Sequence, residues 1–365
     1  LGAYIDELTT ETRYLSDEQK QLVRITIDGA PRLIRGVAGS GKSIVLAELV
    51  ARYLKRQLPN ADALTLPQAN LSIAVTCFNQ TLVAFLKTKV ETAYQAHFPN
   101  ATIPSNILLI THLNQLLWVL SKQRGWPLTY IAFKDLPDPV ARAQAYRTQI
   151  AAFAAHAPQR YHALCLDALF IDEGQDFEPI EYQLLLDLLK PHPQTGEKTL
   201  VTFYDDAQNL YGHPRPVWRD LGLNLLGERS RVMRTCYRNS RQIVELAFNV
   251  LLGAQAPADQ RVQTRTYADV AYLKEHGLIE ETADHFLVHF AIRDDQPPLV
   301  KAFPHHTAEI DWVAAELIRL LRTEAVRPED ILLLAMQPTR LNLVRLKQQL
   351  RAALPTLRFR EPAPD

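Results

Sequence analysis

A glycine-rich octapeptide, Gly36 to Ser43 (GVAGSGKS), constrains the fold of this chain more than any other part of its sequence. It fits the pattern GxxxxGK[ST], follows the strand-like residues Leu33 and Ile34, and opens a helical pattern. Glycines allow a tight turn whose backbone N–H groups point at phosphate oxygens, and the helix N-terminus adds partial positive charge. Lys42 is expected to contact β- and γ-phosphates, and Ser43 to give its hydroxyl to Mg²⁺. The octapeptide therefore predicts a P-loop on an α/β fold.

Short apolar runs alternate with helical patterns on both sides of this loop. After it, strand-like runs occupy residues 71–76, 107–110, 168–171 and 200–204. Strands that alternate with helices predict a parallel sheet covered on both faces. From about residue 230 a second α/β series is expected, with helices over 240–252, 307–321 and 339–350 and strands over 299–303, 330–335 and 357–359.

These patterns predict two parallel-sheet domains in tandem, with a ligand site in the cleft between them. Residues 1–112 and 162–228 are assigned to the first domain. Residues 113–161, rich in Ala and Gln, predict a small helical insertion that serves as an accessory domain. Residues 229–365 are assigned to the N-terminal part of the second domain, and residues 255–296 within it give no clear pattern.

The composition excludes several classes of protein. Among 365 residues, Lys and Arg number 40 and so do Asp and Glu, which excludes a uniformly basic nucleic-acid coat and an acidic disordered tail but allows a local basic groove. Cys77, Cys165 and Cys236 form no CxxC pair, so a disulfide framework and a structural zinc site are disfavoured and a reducing cytoplasm fits best. No apolar run is long enough to predict a membrane span. The chain starts at Leu1, which is expected for a piece of a longer protein.

Two acidic residues, Asp172 and Glu173, follow the apolar run that ends at Ile171. A strand end in a parallel sheet opens onto the ligand crevice, so Asp172 is a candidate ligand of Mg²⁺. Glu173 points another way and is a candidate for activating a water molecule. Gln175 adds a polar group just beyond. Without the phosphate loop, Asp172 and Glu173 would be interpreted equally well as a solvated acidic turn.

Four motifs stand in the order found in superfamily 1 helicases. They are the octapeptide, DEGQD at 172–176, YDDAQNLYG at 204–212 and TCYRN at 235–239. The chain resembles the UvrD/Rep-like DNA helicases, and the wording GVAGSGKS, IDEGQDFEP and YDDAQNLYG is most similar to a bacterial branch often fused to a nuclease-related (NERD) domain. The resemblance implies a P-loop NTPase with two RecA-like domains, ATP bound between them with Mg²⁺, and movement along single-stranded DNA with 3′→5′ polarity.

The resemblance further implies a bacterial cytoplasmic protein, and a nuclease-related domain in the same natural polypeptide. It does not separate DNA from RNA, or repair from defence against foreign DNA.

The resemblance also assigns residues to the ATP site. Gln19 would read adenine, Tyr237 would stack on it, Arg238 would reach the γ-phosphate from the second domain, and Gln208 would link that phosphate to the DNA path. The phosphates would be held by Gly36, Ala38, Gly39, Ser40, Gly41, Lys42 and Ser43.

Candidate DNA contacts follow the strand ends and the third motif. They are Phe78, Thr111, His112, Tyr211 and Trp218. Aromatic side chains suit base stacking, but each of these aromatics reads as core packing when taken alone. The pair His285 and His289 has metal-ligand spacing without the Glu of HExxH, which disfavours zinc.

The sequence departs from the family pattern near its end, where the family's motifs V and VI are absent. Motif VI normally supplies a second arginine to the γ-phosphate, so the second domain is expected to be incomplete. Residue 44 is Ile, where many relatives place an Arg that packs on adenine. One alternative is therefore a nucleotide-gated module that binds DNA or protein with little turnover. An ordinary P-loop kinase is a third reading, which the order of the later motifs disfavours.

Overall fold

The computed structural model describes residues 15–58, 71–99, 101–206, 208, 213–237, 239–243, 246–247, 274–275, 280–281, 286–287, 289–290, 298–334 and 340–359. These residues divide into two compact units, one within Ser16–Asp295 and one that takes Leu15 and the residues from Gln296 on. Over this part of the chain, no helix has both the length and the apolar character that crossing a membrane requires.

A six-stranded parallel sheet lies at the centre of the first unit. Its strands are β1 (Arg32–Gly36), β2 (Ile73–Cys77), β3 (Leu108–His112), β4 (Ala168–Ile171), β5 (Leu200–Tyr204) and β6 (Ser230–Met233). The order across the sheet is β3-β2-β4-β5-β1-β6, and every neighbouring pair is parallel. The residues of β2, β4 and β5 are all buried, because helices cover both faces of the sheet. This confirms the predicted α/β fold, and its strand order is consistent with a RecA-like domain.

Seven helices are described around this sheet. They are α1 (Asp17–Val23), α2 (Lys42–Gln57), α3 (Leu82–His97), α4 (Leu113–Gln123), α5 (Pro139–His156), α6 (Pro158–Leu164) and α7 (Pro179–Asp187). Helix α2 follows the glycine-rich loop and packs against α3. It buries Val45, Leu46, Leu49 and Val50, which form the apolar stripe that helical spacing predicts.

The predicted insertion is helical, since α4, α5 and α6 fill most of it. Its buried side chains Trp126, Tyr146 and Phe153 belong to the same hydrophobic cluster as Leu169 of β4 and Tyr182 of α7. The insertion therefore shares the hydrophobic core of the first sheet.

Residues 230–233, which the sequence analysis grouped with the second domain, form β6 of the first sheet. In the register, Leu33 of β1 pairs with Ser230, and Gly36 pairs with Met233. Beyond it, β7 (Thr235–Cys236) pairs in parallel with β10 (His289–Phe290), and β8 (Glu280–Glu281) pairs in antiparallel with β9 (Phe286–Leu287). The remaining domain assignments stay predictions.

The second unit contains helices α8 (His306–Thr323) and α9 (Arg340–Ala353), which agree with two predicted helices. They pack together through Ala314, Leu317, Leu346 and Leu350. The strands predicted over 299–303, 330–335 and 357–359 are wrong for the described residues there, none of which is in a strand. A strand needs a hydrogen-bonded neighbour, and the runs around Leu299 (68% exposed) and Leu332 (79% exposed) have no strand beside them among those residues. Residues 241–243 and 246–247 are helical, within the helix predicted over 240–252.

Candidate nucleotide site

The glycine-rich octapeptide forms the turn between β1 and α2, at the carboxyl edge of the sheet. Gly39 and Gly41 have φ angles of 76° and 86°, in the left-handed region that favours glycine. At Gly36, a Cβ would lie 2.6 Å from Ser40 Oγ and 3.1 Å from Met233 Cβ, so a side chain there would force its neighbours to shift. Helix α2 begins at Lys42, and the unpaired N–H groups of its first turn favour an anion at this loop. The backbone therefore has the form of a phosphate cradle.

Lys42 is buried and makes three polar contacts. Its Nζ donates to Gly36 O at 3.0 Å, to Val37 O at 3.4 Å and to Asp205 Oδ2 at 2.9 Å. Burial alone would lower the pKa of Lys42, but the carboxylate of Asp205, followed by that of Glu173, raises it above its ordinary value. The ammonium is therefore held in its charged form at the base of the loop.

Ser43 and Asp172 meet at the end of β4. Ser43 Oγ donates a hydrogen bond to Asp172 Oδ2 at 2.8 Å. The other carboxylate oxygen, Oδ1, is buried and has no hydrogen-bond partner among the described residues. Burial, and then the neighbouring charge of Glu173, raise the pKa of Asp172 to about 6. A carboxylate and a hydroxyl side by side, with one oxygen left over, fit Mg²⁺, which prefers oxygen ligands.

Glu173, the residue after Asp172, has a left-handed backbone, with a φ of 50°. A non-glycine residue rarely adopts this conformation, and such residues concentrate at functional sites. Its Oε2 accepts a hydrogen bond from Gln175 Nε2 at 2.8 Å. Gln175 Oε1 in turn accepts from the backbone N–H of Asp205 at 2.9 Å. The amide of Gln175 therefore bridges the ends of β4 and β5.

Gly174 fixes the turn that carries these acids. Tyr182 Oη donates to Gly174 O at 2.8 Å. A Cβ at position 174 would lie 2.3 Å from that hydroxyl oxygen and 2.7 Å from Thr202 Cγ2. Close packing against α7 and β5 thus requires glycine here. The next acid, Asp176, is partly buried, and burial together with Glu173 raises its pKa to about 6.

Gln19 lies against the phosphate loop. It belongs to a capping box at the start of α1, in which its Oε1 accepts from Ser16 N at 3.0 Å and its backbone N–H donates to Ser16 Oγ at 3.2 Å. Its Nε2 donates to Ser40 O at 2.9 Å. The amide predicted to read adenine therefore makes a hydrogen bond to the loop that holds the phosphates.

The segment from Met233 to Tyr237 is tied to the same loop. Val37 N donates to Met233 O at 3.3 Å, and Tyr237 N donates to Gly39 O at 3.0 Å. In addition, the carboxylate of Glu18 accepts from the backbone N–H groups that follow Met233. The backbone of Tyr237 is thus held at the edge of the loop, and its contact with adenine stays a prediction. Arg238 lies outside the described residues.

Gln208 follows β5, and its backbone N–H donates to Asp205 O at 3.2 Å. This places it two residues beyond the acidic pair at the end of that strand. Tyr211, predicted to contact DNA, lies outside the described residues.

Three candidate DNA contacts lie at the carboxyl ends of β2 and β3: Phe78 follows β2, and Thr111 and His112 are the last two residues of β3. Because Cys77 pairs with His112 in the register, Phe78 and His112 lie at the same carboxyl edge of the sheet. Phe78 packs edge-on against Phe177, with ring centroids 5.9 Å apart. Thr111 is buried within β3. Phe78 and His112 are partly exposed at this edge, whereas Thr111 lies in the interior.

Trp218 packs near the carboxyl end of β5, which ends at Tyr204. Its indole packs edge-on against Tyr182 and Tyr204, at centroid distances of 5.2 and 5.8 Å. The same side chain also lines a groove of about 940 Å³, together with Arg215 and Arg219. Trp218 is thus a partly buried core residue with one side on a basic groove.

Two arginines near β6 are paired with acids. Arg229 binds both carboxylate oxygens of Glu197, at 2.7 and 2.9 Å, and Arg231 contacts Glu228 at 3.0 Å. All four side chains are partly or largely exposed, as is typical of ion pairs on a protein surface.

No metal cluster of the His, Cys or carboxylate type is formed by the described residues. His285 of the HxxxH pair is outside that part of the chain, and His289 lies in β10.

The comparisons with known proteins add little to this geometry. No protein-family model matches the chain, and no curated protein matches it. Among solved structures, the chain is similar to the Pif1 helicase from Candida albicans, with 15% sequence identity and a TM-score of 0.33. The match covers 84% of this chain and 54% of that helicase, so the chain spans about half of its length. A likeness at this TM-score carries no inference about activity.

Two residues of the site have no role in the sequence analysis. Asp205 occurs in the third motif and Gln175 in the second, and both are buried at the end of a central strand. The signal that could have found them is a pair of acids followed by an amide just after each of these two strands, in DEGQD and DDAQN. Their contact depends on β4 and β5 being neighbours, which the sequence does not specify directly.

Proposed function

We propose that this chain is a nucleic-acid-dependent ATPase, the motor part of a UvrD-like superfamily 1 helicase that moves on single-stranded DNA in the 3′→5′ direction. The observation that carries the proposal is the meeting of three chemically distinct groups at one edge of the sheet. A buried lysine lies on a phosphate cradle, the hydroxyl of Ser43 lies 2.8 Å from the carboxylate of Asp172, and Glu173 follows in a left-handed turn. This is the set that hydrolysis of a nucleoside triphosphate needs.

In the proposed mechanism each residue acts on a defined part of ATP. The loop from Gly36 to Ser43 holds the phosphates, and Lys42 neutralises charge on the β- and γ-phosphates. Ser43 and Asp172 would hold Mg²⁺, which when bound neutralises charge on the phosphate oxygens. Glu173 orients the attacking water and accepts its proton. Tyr237 and Gln19 would contact the base.

Arg238 is the group that the second domain supplies in this proposal, and the other groups lie in the first domain. Arg238 would spread charge on the γ-phosphate in the transition state, because guanidinium is planar and permanently charged. Gln208 would link the γ-phosphate to the path of the nucleic acid. Phe78 and His112, which are partly exposed at the carboxyl edge of the sheet, and Trp218, which lines the groove with Arg215 and Arg219, are proposed stacking positions for bases.

The test is ATP hydrolysis by the whole chain with and without single-stranded DNA, and with single-stranded RNA of the same length. A large stimulation by DNA, lost in Lys42→Ala, supports the proposal. Hydrolysis that neither polymer stimulates refutes the nucleic-acid-dependent motor. The polarity is then tested by measuring, during ATP hydrolysis, whether the chain reaches and leaves the labelled 3′ end or the labelled 5′ end of single-stranded DNA.

A further inference from the structure

The ammonium of Lys42 has all three protons engaged. An ammonium carries three donors, and Nζ has three acceptors within 3.4 Å: two loop carbonyls and Asp205 Oδ2. Of these acceptors only Asp205 is anionic, and it is 1% exposed. A phosphate that binds Lys42 is also an anion, so it competes with Asp205 for the same N–H donor of the ammonium.

Asp205 is connected to Glu173 through a single side chain. The backbone N–H of Asp205 can only donate, so the oxygen of the Gln175 amide faces it, at 2.9 Å. The nitrogen of that amide then faces Glu173, to whose carboxylate it donates at 2.8 Å. Gln175 is 3% exposed, and water therefore competes little for these bonds.

We propose that Asp205 and Gln175 form a relay that couples phosphate binding at Lys42 to the position of Glu173. Asp205 competes with the phosphate for the ammonium. When a phosphate accepts the hydrogen bond that Lys42 donates to Asp205, Asp205 is released from Lys42. The hydrogen bond from the Asp205 backbone to Gln175 then transmits the displacement to the Glu173 carboxylate. Gln175 is thus a positioning residue, and Asp205 is a competing anion. The inference rests on the proposed ATPase function and adds a regulatory link within that site.

The first step is tested by the affinity for fluorescent ADP and AMP. Asp205→Asn keeps an acceptor for Lys42 but removes the competing charge, so we expect it to bind ADP about tenfold more tightly. AMP has no phosphate at the position of Lys42, and its affinity should change by less than about twofold. The matched control is Asp206→Asn, which neutralises the adjacent buried carboxylate that contacts Arg35 at 3.4 Å.

The outcomes separate the relay from the proposed function. Tighter ADP binding confined to Asp205→Asn supports the competition. If wild-type protein hydrolyses ATP while Asp205→Asn binds ADP no more tightly, or if Asp206→Asn has the same effect, the relay is wrong and the ATPase stands. If wild-type protein binds neither ADP nor ATP, the proposed function fails and the relay fails with it.

The second step is tested by Gln175→Leu, which keeps the size of the side chain and removes both hydrogen bonds. We expect kcat for ATP hydrolysis to fall about tenfold while ADP affinity stays within about twofold of wild type. Gln183→Leu on α7 is the control for loss of a partly buried glutamine elsewhere. An unchanged kcat, or an equal loss of ADP affinity and kcat, would overturn the positioning role.

Discussion

Replacing Lys42 with Met should destabilise the protein through a charge left behind on Asp205. The two side chains form a buried ion pair, with Nζ and Oδ2 2.9 Å apart and exposures of 6% and 1%. Met fills a similar volume but removes the ammonium that the buried carboxylate contacts. The carboxylate can escape this penalty by taking up a proton. At pH 7, protonating a carboxyl group with an ordinary pKa of about 3.9 costs about 4 kcal/mol, which sets the expected loss at about 3–4 kcal/mol.

The pH dependence of this loss follows from the same cost of protonating Asp205. In Lys42→Met, burial without the Lys42 ammonium favours the protonated form of Asp205, so near neutral pH the folded protein binds more protons than the unfolded chain. The loss in unfolding free energy is therefore larger at pH 7 and shrinks by about 1.4 kcal/mol per pH unit, to about 2 kcal/mol at pH 5.5. Urea denaturation of variant and wild type at pH 7 and pH 5.5 measures this difference.

Two controls make the reasoning refutable. Lys198→Met removes a partly buried lysine that donates to Leu186 O at 2.6 Å, and we expect it to cost about 1–2 kcal/mol. Lys42→Met combined with Asp205→Asn should lose less than Lys42→Met alone, because the buried negative charge that contacted Lys42 is removed together with the lysine. A loss below about 1 kcal/mol for Lys42→Met, the same loss at both pH values, or simple additivity in the double variant would refute the account.

Three further predictions concern other parts of the first unit. Gly174→Ala should lower the free energy of unfolding by about 1–3 kcal/mol, because its Cβ would lie 2.3 Å from Tyr182 Oη; normal urea unfolding would contradict the tight turn. Asp172→Asn should abolish the Mg²⁺-dependent gain in ATP affinity while leaving Mg²⁺-free ADP binding within about twofold, as titrations with and without EDTA would reveal. Cys77 is fully buried, and burial raises its pKa to about 12. A thiol reagent at pH 8 should therefore modify Cys77 only after unfolding, and rapid labelling of Cys77 in the native protein would contradict its burial.

The sequence was sufficient where the signal is local. The octapeptide from Gly36 to Ser43 needs left-handed glycines and a following helix, and both conditions can be read within a few residues. The central strands at 168–171 and 200–204 are continuous apolar runs, as expected for strands buried on both faces. For these elements the residue types alone indicate the structure.

Other features depend on which strands are neighbours, and a pattern along the chain does not state this. Gln175 and Asp205 are 30 residues apart and meet because β4 lies beside β5. Ser230–Met233 joins the first sheet by pairing with β1, which lies far upstream. The apolar run at 299–303 is typical of a strand, but a short apolar run does not specify a neighbouring strand with which it would pair.

The most direct test of the central claim is a comparison of Glu173→Gln with wild type in ATP binding and in single-turnover hydrolysis. The account predicts that the variant binds ATP with Mg²⁺ as tightly as wild type, within about twofold, and that its hydrolysis is slower by a factor of about 100 or more. Removing the carboxylate would then have removed the base without disturbing the phosphate cradle. Hydrolysis by Glu173→Gln at the wild-type rate, or no binding of ATP by the wild-type protein, would contradict the account.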